Sequence, residues 1–352
     1  MSDPLVASEA EPLPAREADT PDTIPSEHAA ASHDPVPLYD TGGPEQTVPS
    51  EDGAVVEPAL IEAPVPDVVV DAGSFGPTGR PWPDLTPPPA PVTHGPAMVI
   101  ALCNQKGGVG KTTTTISLGA ALAELGRKVL LVDFDPQGSL AVGLGINPHE
   151  LESSVYDVLM DRHSDIREIV VKTAVENLDL VPANIDLSAA EVALVGEVAR
   201  EMTLKRALAP ILPDYDFVLI DCQPSLGLLT VNALTASDGV VIPLECEFFA
   251  LRGVAMLTET IGKVQDRLNP GLTIIGILAT MFDSRTLHAR EVLDRVVDAF
   301  GERVFYSVIA RTVRFPDASV AGEPITTFSS SSAGAQSYRT LAVEVLQRSS
   351  TA

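Results

Sequence analysis

The chain is long and strongly acidic, with 352 residues, 48 Asp and Glu against 23 Lys and Arg, and a formal net charge of −25. This length suits one large domain or one domain with an appendage. Because the chain as a whole is acidic, global electrostatic attraction to nucleic acid is excluded, and any such binding must come from a local basic surface. No apolar run approaches the length of a transmembrane helix, so we expect a soluble protein, and an odd number of cysteines, three, agrees with a cytoplasmic location.

The first 97 residues differ in composition from the rest of the chain. They contain 20 of the 30 prolines, no lysine, and 17 acidic residues against two arginines, a net charge of about −15. Such a segment is too polar and too often interrupted by proline to bury a core. We therefore predict a disordered, acidic, proline-rich tail over residues 1–97 and a folded domain over 98–352. Residues 1–4 are acidic and broken by proline, so we expect no signal or transit peptide.

The first motif lies between two apolar segments. The run Met98–Cys103 is followed by the glycine-rich segment KGGVGKTT, residues 106–113, and then by a helix-length apolar pattern over 112–125. This is the strand–loop–helix context of a phosphate-binding loop. Glycines let backbone N–H groups converge on one point, and the helix adds its positive N-terminal end. Lys111 stands where such a loop contacts the β- and γ-phosphates, and Thr112 where its hydroxyl binds Mg²⁺.

The sequence therefore predicts binding of ATP or a similar nucleotide together with Mg²⁺. The residues expected to contact the nucleotide are Lys106, Gly107, Gly108, Val109, Gly110, Lys111, Thr112 and Thr113.

Two later apolar runs end in carboxylates. The run 129–132 leads into Asp133 and Asp135, and the run 217–220 leads into Asp221. Ligands of open α/β sheets bind at the carboxyl ends of parallel strands. Asp221 fits a Walker B carboxylate that holds Mg²⁺ directly or through water, and Asp133 would act through magnesium-bound water. The alternative for residues 133–138 is a solvated acidic turn.

From Met98 onward, short apolar runs alternate with longer helical patterns. This alternation predicts an α/β fold with a mainly parallel, twisted sheet and helices on both faces. The helix that follows the glycine-rich loop has two apolar faces and is expected to be buried. Cys103, Cys222 and Cys246 lie in or beside apolar runs without metal-ligand spacing, so we interpret them as small core residues.

The loop has a second lysine, Lys106, at its start, with Asn104 and Gln105 before it and Thr113 and Thr114 at its end. This arrangement resembles the deviant Walker A box of the ParA/MinD group of P-loop ATPases, and most of all its ParA (Soj) partitioning branch. The motifs at 133–138 and 217–230 extend the resemblance over nearly all of 98–352.

The resemblance implies a mechanism and a set of catalytic residues. Lys106 is expected to reach the nucleotide of a facing subunit, so that ATP holds a homodimer together. Asp135 occupies the position of the carboxylate that sets up the attacking water. Lys106, Lys111 and Asp135 are therefore the predicted catalytic residues of a slow, partner-stimulated ATPase. Met281, at the end of the strand pattern 273–281, is expected on the adenine side.

One long stretch has a positive balance, with nine basic and seven acidic residues over 250–315. The resemblance implies nonspecific, salt-dependent DNA binding in the ATP state, a ParB-like partner, and association with the nucleoid. Arg285 matches an arginine of the family's DNA-binding face. Gly262 falls where some relatives carry arginine, which leaves Lys263 or Arg267 as substitutes. The alternative is solvated helix faces with intrahelical ion pairs.

Two departures and two other functions stay open. Gln223 replaces a usual proline, which either alters hydrolysis or is a tolerated variant, and Glu245 stands where glutamine is usual. A MinD-like membrane switch needs a basic amphipathic C-terminal helix, but residues 337–347 carry Arg339 as their only basic residue and an apolar stripe suited to core docking. A metabolic ligase of the same fold would use ATP to activate a carboxylate.

Overall fold

The computed structural model describes residues 73–161, 163–247 and 250–349. The disorder predicted for residues 1–72 lies outside these described residues. Eight strands form one sheet in the order β3-β4-β2-β5-β1-β6-β7-β8. All neighbouring strands are parallel except β3 and β4, which are antiparallel. The strands are β1 Met98–Leu102, β2 Val129–Phe134, β3 Val171–Lys172, β4 Leu178–Val181, β5 Phe217–Cys222, β6 Gly239–Glu245, β7 Thr273–Phe282 and β8 Val304–Ala310.

Helices cover both faces of the sheet, which confirms the predicted α/β fold. One apolar core lies between the sheet and α3 to α8, and the other between the sheet and α1, α2 and α9 to α11. Strand side chains alternate between the two cores, as the period of two requires. The helices are α1 Lys111–Glu124, α2 Ser139–Gly143, α3 Val155–Met160, α4 Leu187–Ala193, α5 Thr203–Leu208, α6 Leu228–Ala236, α7 Ala250–Arg267, α8 Leu287–Phe300, α9 Arg314–Ala321, α10 Ile325–Phe328 and α11 Ala333–Ser349.

The helix that follows the glycine-rich loop, α1, is buried along most of its length. Eleven of its 14 residues are buried, which confirms the prediction made from its two apolar faces. Gly119 allows the close approach to the sheet, since a Cβ atom there would lie 2.7 Å from a methyl of Leu131. The N-terminus of α1 is thereby fixed against the sheet edge where β1 ends.

The last helix, α11, docks on the same face as α1. Tyr338, Leu341, Ala342 and Val345 are all buried in that core. Arg339 is also buried and forms a bidentate ion pair with Glu124, at 2.6 and 3.0 Å. The helix therefore does not present the basic amphipathic face that a MinD-like membrane switch requires. Within the described parts of the chain, no helix is long and apolar enough to cross a membrane.

Residues 73–97, which we call the strap, pack against the domain instead of being disordered. Arg80 donates three hydrogen bonds of 2.8 to 3.2 Å to backbone carbonyls within 301–305. Its guanidinium carbon lies 4.0 Å from the ring centroid of Tyr306, and the Trp82 ring lies 6.1 Å from the same ring. Arginine and two aromatic rings thus fasten a chain that has too few apolar residues for a core of its own.

The strap is also attached near its C-terminal end. His94 Nδ1 lies 2.7 Å from Asp216 Oδ2, and the backbone N–H of Gly95 donates to the same carboxylate. Arg127 donates to the backbone carbonyl of Pro89 at 2.8 Å. For residues 73–97 the predicted tail is therefore corrected: composition describes this segment poorly because its stability comes from contacts with the domain rather than from its own core.

Candidate functional site

The glycine-rich loop is an open cradle at the carboxyl end of β1. Gly108 and Gly110 have φ values of 74° and 84°, a region that side-chain-bearing residues rarely adopt. A Cβ atom at either position would meet nothing within 4 Å, so the loop borders open space. Helix α1 begins directly after it at Lys111. The loop therefore brings together backbone N–H groups, the helix N-terminus and the Lys111 ammonium. This concentration of positive charge and hydrogen-bond donors suits a polyphosphate ligand.

Lys111 lies within this cradle and is buried. Its Nζ donates to the backbone carbonyl of Lys106 at 3.2 Å, which holds the side chain back across the loop. Thr113 contributes to the wall on the far side of the loop. The structure therefore brings the predicted phosphate-contacting residues together around one concavity.

Two of the three residues predicted for the magnesium site, Thr112 and Asp221, contact each other. The Thr112 hydroxyl donates to Asp221 Oδ2 at 2.6 Å, and the Thr115 hydroxyl lies 3.5 Å from Oδ1. Burial raises the pKa of Asp221 to about 7, while the Thr112 hydrogen bond and the charge of Lys111 oppose that rise. A hydroxyl and a buried carboxylate beside a phosphate cradle fit Mg²⁺, which is usually held by one or two carboxylates, phosphates and water. No cluster of three or more His, Cys, Asp or Glu suited to a metal occurs among residues 73–161, 163–247 and 250–349.

Asp133 supports the loop that follows β2. It is fully buried, opposite Asp221 in the strand register, and its pKa is raised by burial and by repulsion from Asp221. Its two carboxylate oxygens accept backbone N–H groups of Asp135 and Leu140, at 3.2 and 3.0 Å. The structure thus gives Asp133 a position beneath the loop in addition to the metal role predicted from the sequence.

Asp135 lies above it, half-buried, at the turn that follows β2. One of its oxygens accepts the backbone N–H of Gln137 at 3.0 Å. Because β2 and β5 are paired in register, this carboxylate stands at the same sheet edge as Asp221. That placement suits a group that orients a water next to the phosphates.

A cavity of about 320 Å³ adjoins the loop on the side of β7 and β8. Met281 lines it with a φ of 50°, unusual for a residue with a side chain and a mark of backbone strain often found at functional sites. The cavity joins the phosphate loop to the segment 309–319, and Met281, which the sequence predicts on the adenine side, is one of its lining residues. The lining residues are Gly110, Thr113, Thr280, Met281, Ile309, Ala310, Arg311, Thr312, Phe315, Pro316, Ser319 and Tyr338.

Lys106 lies at the rim of the site, with its side chain 48% exposed. Its Nζ is 2.9 Å from Glu245 Oε2 and 2.5 Å from Glu247 Oε2. Arg311 donates to the other oxygen of Glu245 at 2.8 Å. Sequence reasoning missed this cluster, because its members come from three distant segments. The only local signal was the charge of Glu245, which departs from the usual glutamine.

Gln223 points toward α4. Its amide nitrogen donates to Glu191 Oε1 at 3.2 Å, and the same oxygen accepts the backbone N–H of Leu229 at 3.3 Å. Glu191 therefore connects α4 to the first turn of α6. The side chain of Gln223 is thus used in a structural contact.

The three predicted DNA-binding residues are exposed but do not form one cluster. Arg285 follows the carboxyl end of β7 and forms a bidentate ion pair with Asp283, with two hydrogen bonds of 2.8 Å. These hydrogen bonds lower the pKa of Asp283 to about 2. Lys263 and Arg267 lie near the other end of α7, about 20 Å along the helix from its start. Lys263 is paired with Glu259 at 2.8 Å. Arg285 thus lies at the carboxyl ends of the strands, where the nucleotide site is, and Lys263 and Arg267 lie toward their amino ends.

The fold and this site define a P-loop nucleoside triphosphatase: a parallel sheet with a glycine-rich loop, an adjoining helix and a Walker B carboxylate at one edge. A family model described as an AAA domain matches residues 97–274. The sporulation initiation inhibitor protein Soj of Bacillus subtilis is 51% identical over 247 residues, covering 70% of this chain and 97% of Soj. The chain belongs to the ParA/Soj family of partitioning ATPases.

Two further relatives bear on the strap and on the site. An uncharacterized protein of Mycobacterium tuberculosis is 62% identical over 280 residues, 79% of this chain and 88% of that protein. A match of that length includes part of the segment before Met98. A Mycobacterium smegmatis structure described as cobyrinic acid a,c-diamide synthase, with bound ATP analog and magnesium, is 45% identical with a TM-score of 0.64, covering 72% of this chain and 96% of its own.

Proposed function

We propose that this chain is an ATP-dependent switch of chromosome partitioning: it binds MgATP, dimerises around it, binds DNA without sequence specificity in that state, and resets by slow hydrolysis. A ParB-like partner would stimulate hydrolysis, and the protein would act in the cytoplasm on the nucleoid. Residues 98–352 would carry the switch, and the acidic segment 1–97 would be an appendage whose last part is the strap. Family membership supports the partitioning role.

The observation that carries the proposal is the arrangement around Thr112. One side of the cradle holds the Thr112–Asp221 pair, and the rim holds Lys106 with its ammonium partly exposed. The first feature suits the nucleotide and metal of the same subunit. The second suits phosphate oxygens of another subunit, because a cation at the rim can leave its own site.

The residues of the chain have distinct tasks in hydrolysis. Mg²⁺, when bound, would neutralise charge on the phosphate oxygens, as in other P-loop enzymes. Thr112 and Asp221 would hold it. The M. smegmatis relative, described with bound ATP analog and magnesium, supports the use of this metal. Lys111 would stabilise charge on the phosphates from within the cradle. Asp135 would orient the attacking water, a task that depends on position more than on basicity.

Loss of the terminal phosphate would return the proposed dimer to its monomeric state. Two subunits joined through a triphosphate share the charge of that phosphate with a lysine from each side. After hydrolysis the shared anion is lost, and the dimer with its two-sided DNA surface dissociates.

The proposal is tested by DNA binding in three nucleotide states. Binding of a random-sequence duplex is measured with ATP, with ADP and without nucleotide across a salt series. Binding is expected only with ATP, and it should weaken steeply with salt. Lys106→Ala should abolish the ATP-dependent part. Lys172→Ala removes an exposed lysine from the far edge strand β3 and serves as the charge-matched control. Equal binding in all three states, or unchanged binding by the Lys106 variant, would overturn the switch.

A second candidate is an ATP-dependent metabolic ligase, favoured by the 45% identity to the structure described as cobyrinic acid a,c-diamide synthase. Such an enzyme would couple ATP use to a carboxylate substrate and would be indifferent to DNA. Phosphate release is therefore measured with DNA and, separately, with cobyrinic acid and an amide donor. Turnover that requires the acid and ignores DNA would replace the partitioning proposal.

A further inference from the structure

The rim of the site contains an ion-pair cluster centred on Glu245. One oxygen of this carboxylate contacts the Lys106 ammonium at 2.9 Å, and the other accepts from Arg311 at 2.8 Å. Glu245 is largely buried, with 11% of its side chain exposed, whereas Glu247, the second partner of Lys106, is 54% exposed. Of the two carboxylates that contact Lys106, Glu245 is thus the one shielded from solvent, and Glu247 lies on the solvent side.

The backbone around Lys106 fixes where its side chain can begin. Asn104 donates from Nδ2 to the backbone carbonyl of Pro243 at 2.7 Å and accepts the Lys106 N–H at 2.9 Å. The start of the loop is thereby tied to β6, whose last residue is Glu245. With its backbone held this close to β6, Lys106 has Glu245 as a neighbour before any second subunit is present.

We propose that Glu245 is a positioning residue that holds Lys106 on its own subunit, so that the lysine must leave this carboxylate before it can contact the nucleotide of a second subunit. This inference rests on the proposed dimerisation. Each dimer requires two such releases, one from each copy. Glu245 thus sets the protein concentration at which the nucleotide-bound chain dimerises.

Arg311 gives the cluster a connection to the nucleotide. It lies on the wall of the cavity beside Met281 and also binds Glu245. A base or ribose in that cavity would lie beside Arg311 and not against Glu245 itself, and Arg311 shares Glu245 with the Lys106 ammonium. When Lys106 leaves, Arg311 still neutralises Glu245, so its largely buried carboxylate is not left without a positively charged partner.

The first test measures the ion pair in the nucleotide-free chain and does not depend on dimerisation. An acetylating reagent reacts with the neutral amine of Lys106, and peptide mass spectrometry gives the rate at that residue. Glu245→Gln should increase this rate about two- to five-fold, because an exposed ion pair contributes an effect of that size. Glu259→Gln, which removes the carboxylate paired with Lys263 on α7, should leave it unchanged. An unchanged Lys106 rate in Glu245→Gln overturns the inference.

The second test measures dimerisation by sedimentation with a nonhydrolysable ATP analogue and Mg²⁺. Because two ion pairs are released per dimer, Glu245→Gln should tighten the dimer by about 4- to 25-fold. Nucleotide affinity at concentrations where the protein is monomeric should stay constant, which a general structural defect would not allow. If the natural chain dimerises and Glu245→Gln does so equally or more weakly, the positioning role is overturned. If neither protein dimerises, the proposed function fails, and the labelling rate still decides whether Glu245 holds Lys106.

Discussion

The buried carboxylate of Asp221 makes the stability of the nucleotide-free protein depend on pH. Its pKa is raised from 3.8 to about 7, chiefly by burial. Because the native state holds this proton more tightly than the unfolded chain, the associated stability is full below pH 4 and is lost as the pH rises through about 7. Asp221→Asn keeps an oxygen that accepts from Thr112 and removes the charge. The variant should therefore match the natural protein near pH 4 and exceed its stability at pH 8.

The size of the effect follows from the shift in pKa. A change of about three units corresponds to an upper limit of about 4 kcal/mol at pH 8. Asp133 lies opposite in the strand register, and its pKa is raised partly by repulsion from Asp221. Removing the charge of Asp221 relieves that repulsion, so the two effects have the same sign.

The assay is urea unfolding without nucleotide or Mg²⁺ at several pH values between about 4 and 8. Asp298→Asn, which removes an exposed carboxylate on α8, is the control for the loss of one negative charge. A difference between Asp221→Asn and the natural protein that is constant with pH would refute the reasoning. With MgATP the order should reverse, because the natural carboxylate then has a cation to bind and the amide does not.

Three further variants test other parts of the structure. Arg80→Ala removes the carbonyl contacts and the ring contact with Tyr306, and should lower stability by about 2 kcal/mol and the melting temperature by several degrees, as calorimetry would show. Gly110→Ala places a side chain at a φ of 84°, so it should cost about 1–2 kcal/mol and weaken ATP binding measured by titration calorimetry; unchanged affinity would contradict the cradle. Arg339→Ala leaves Glu124 without its bidentate partner in a largely buried site and should cost about 3–5 kcal/mol in urea unfolding, more than the charge-free double variant with Glu124→Gln.

The phosphate side of the site could be predicted because its signals are local. A β-branched run, closely spaced glycines and a helical apolar pattern occupy adjacent positions in the sequence, and each has one dominant physical interpretation. The grouping of the carboxylates at the ends of β2 and β5 could be predicted equally well, since parallel strands bring their carboxyl ends to one edge of the sheet. For Asp221 the structure adds the contact with Thr112, and for Asp133 it adds a set of backbone hydrogen bonds.

The strap could not be predicted from composition. Proline content and negative charge describe the average of residues 1–97, whereas the order of 73–97 comes from a few specific side chains, Arg80 and Trp82 above all. Their partners lie more than 200 positions away in the sequence. Composition reports whether a segment can form its own core, and it is silent on whether a neighbouring domain provides one.

The count of charged residues over 250–315 did not predict where the basic side chains lie in space, because it too ignores the three-dimensional fold. A helix of 18 residues spans about 27 Å, so α7 runs along one face of the sheet from the carboxyl ends of the strands to their amino ends. The positive balance in sequence is therefore divided between two surfaces, and acidic neighbours partly neutralise both Lys263 and Arg285. If DNA binds one face of a dimer, either Arg285 or the pair Lys263 and Arg267 contributes most of the phosphate contacts.

The strand order explains why one sheet edge can serve two tasks. β1 lies between β5 and β6, so the loop that follows it has Asp221 on one side and Glu245 on the other. Neighbouring strands are about 4.8 Å apart, and Glu245 lies four residues farther along β6 than Val241, which is level with Asp221, so the backbones at Asp221 and Glu245 are about 16 Å apart. At that separation each acts on its own cation, and substitutions at the two positions should have nearly additive effects. Under the proposed mechanism, Glu245→Gln should therefore leave phosphate and metal binding intact and change only how readily two subunits associate.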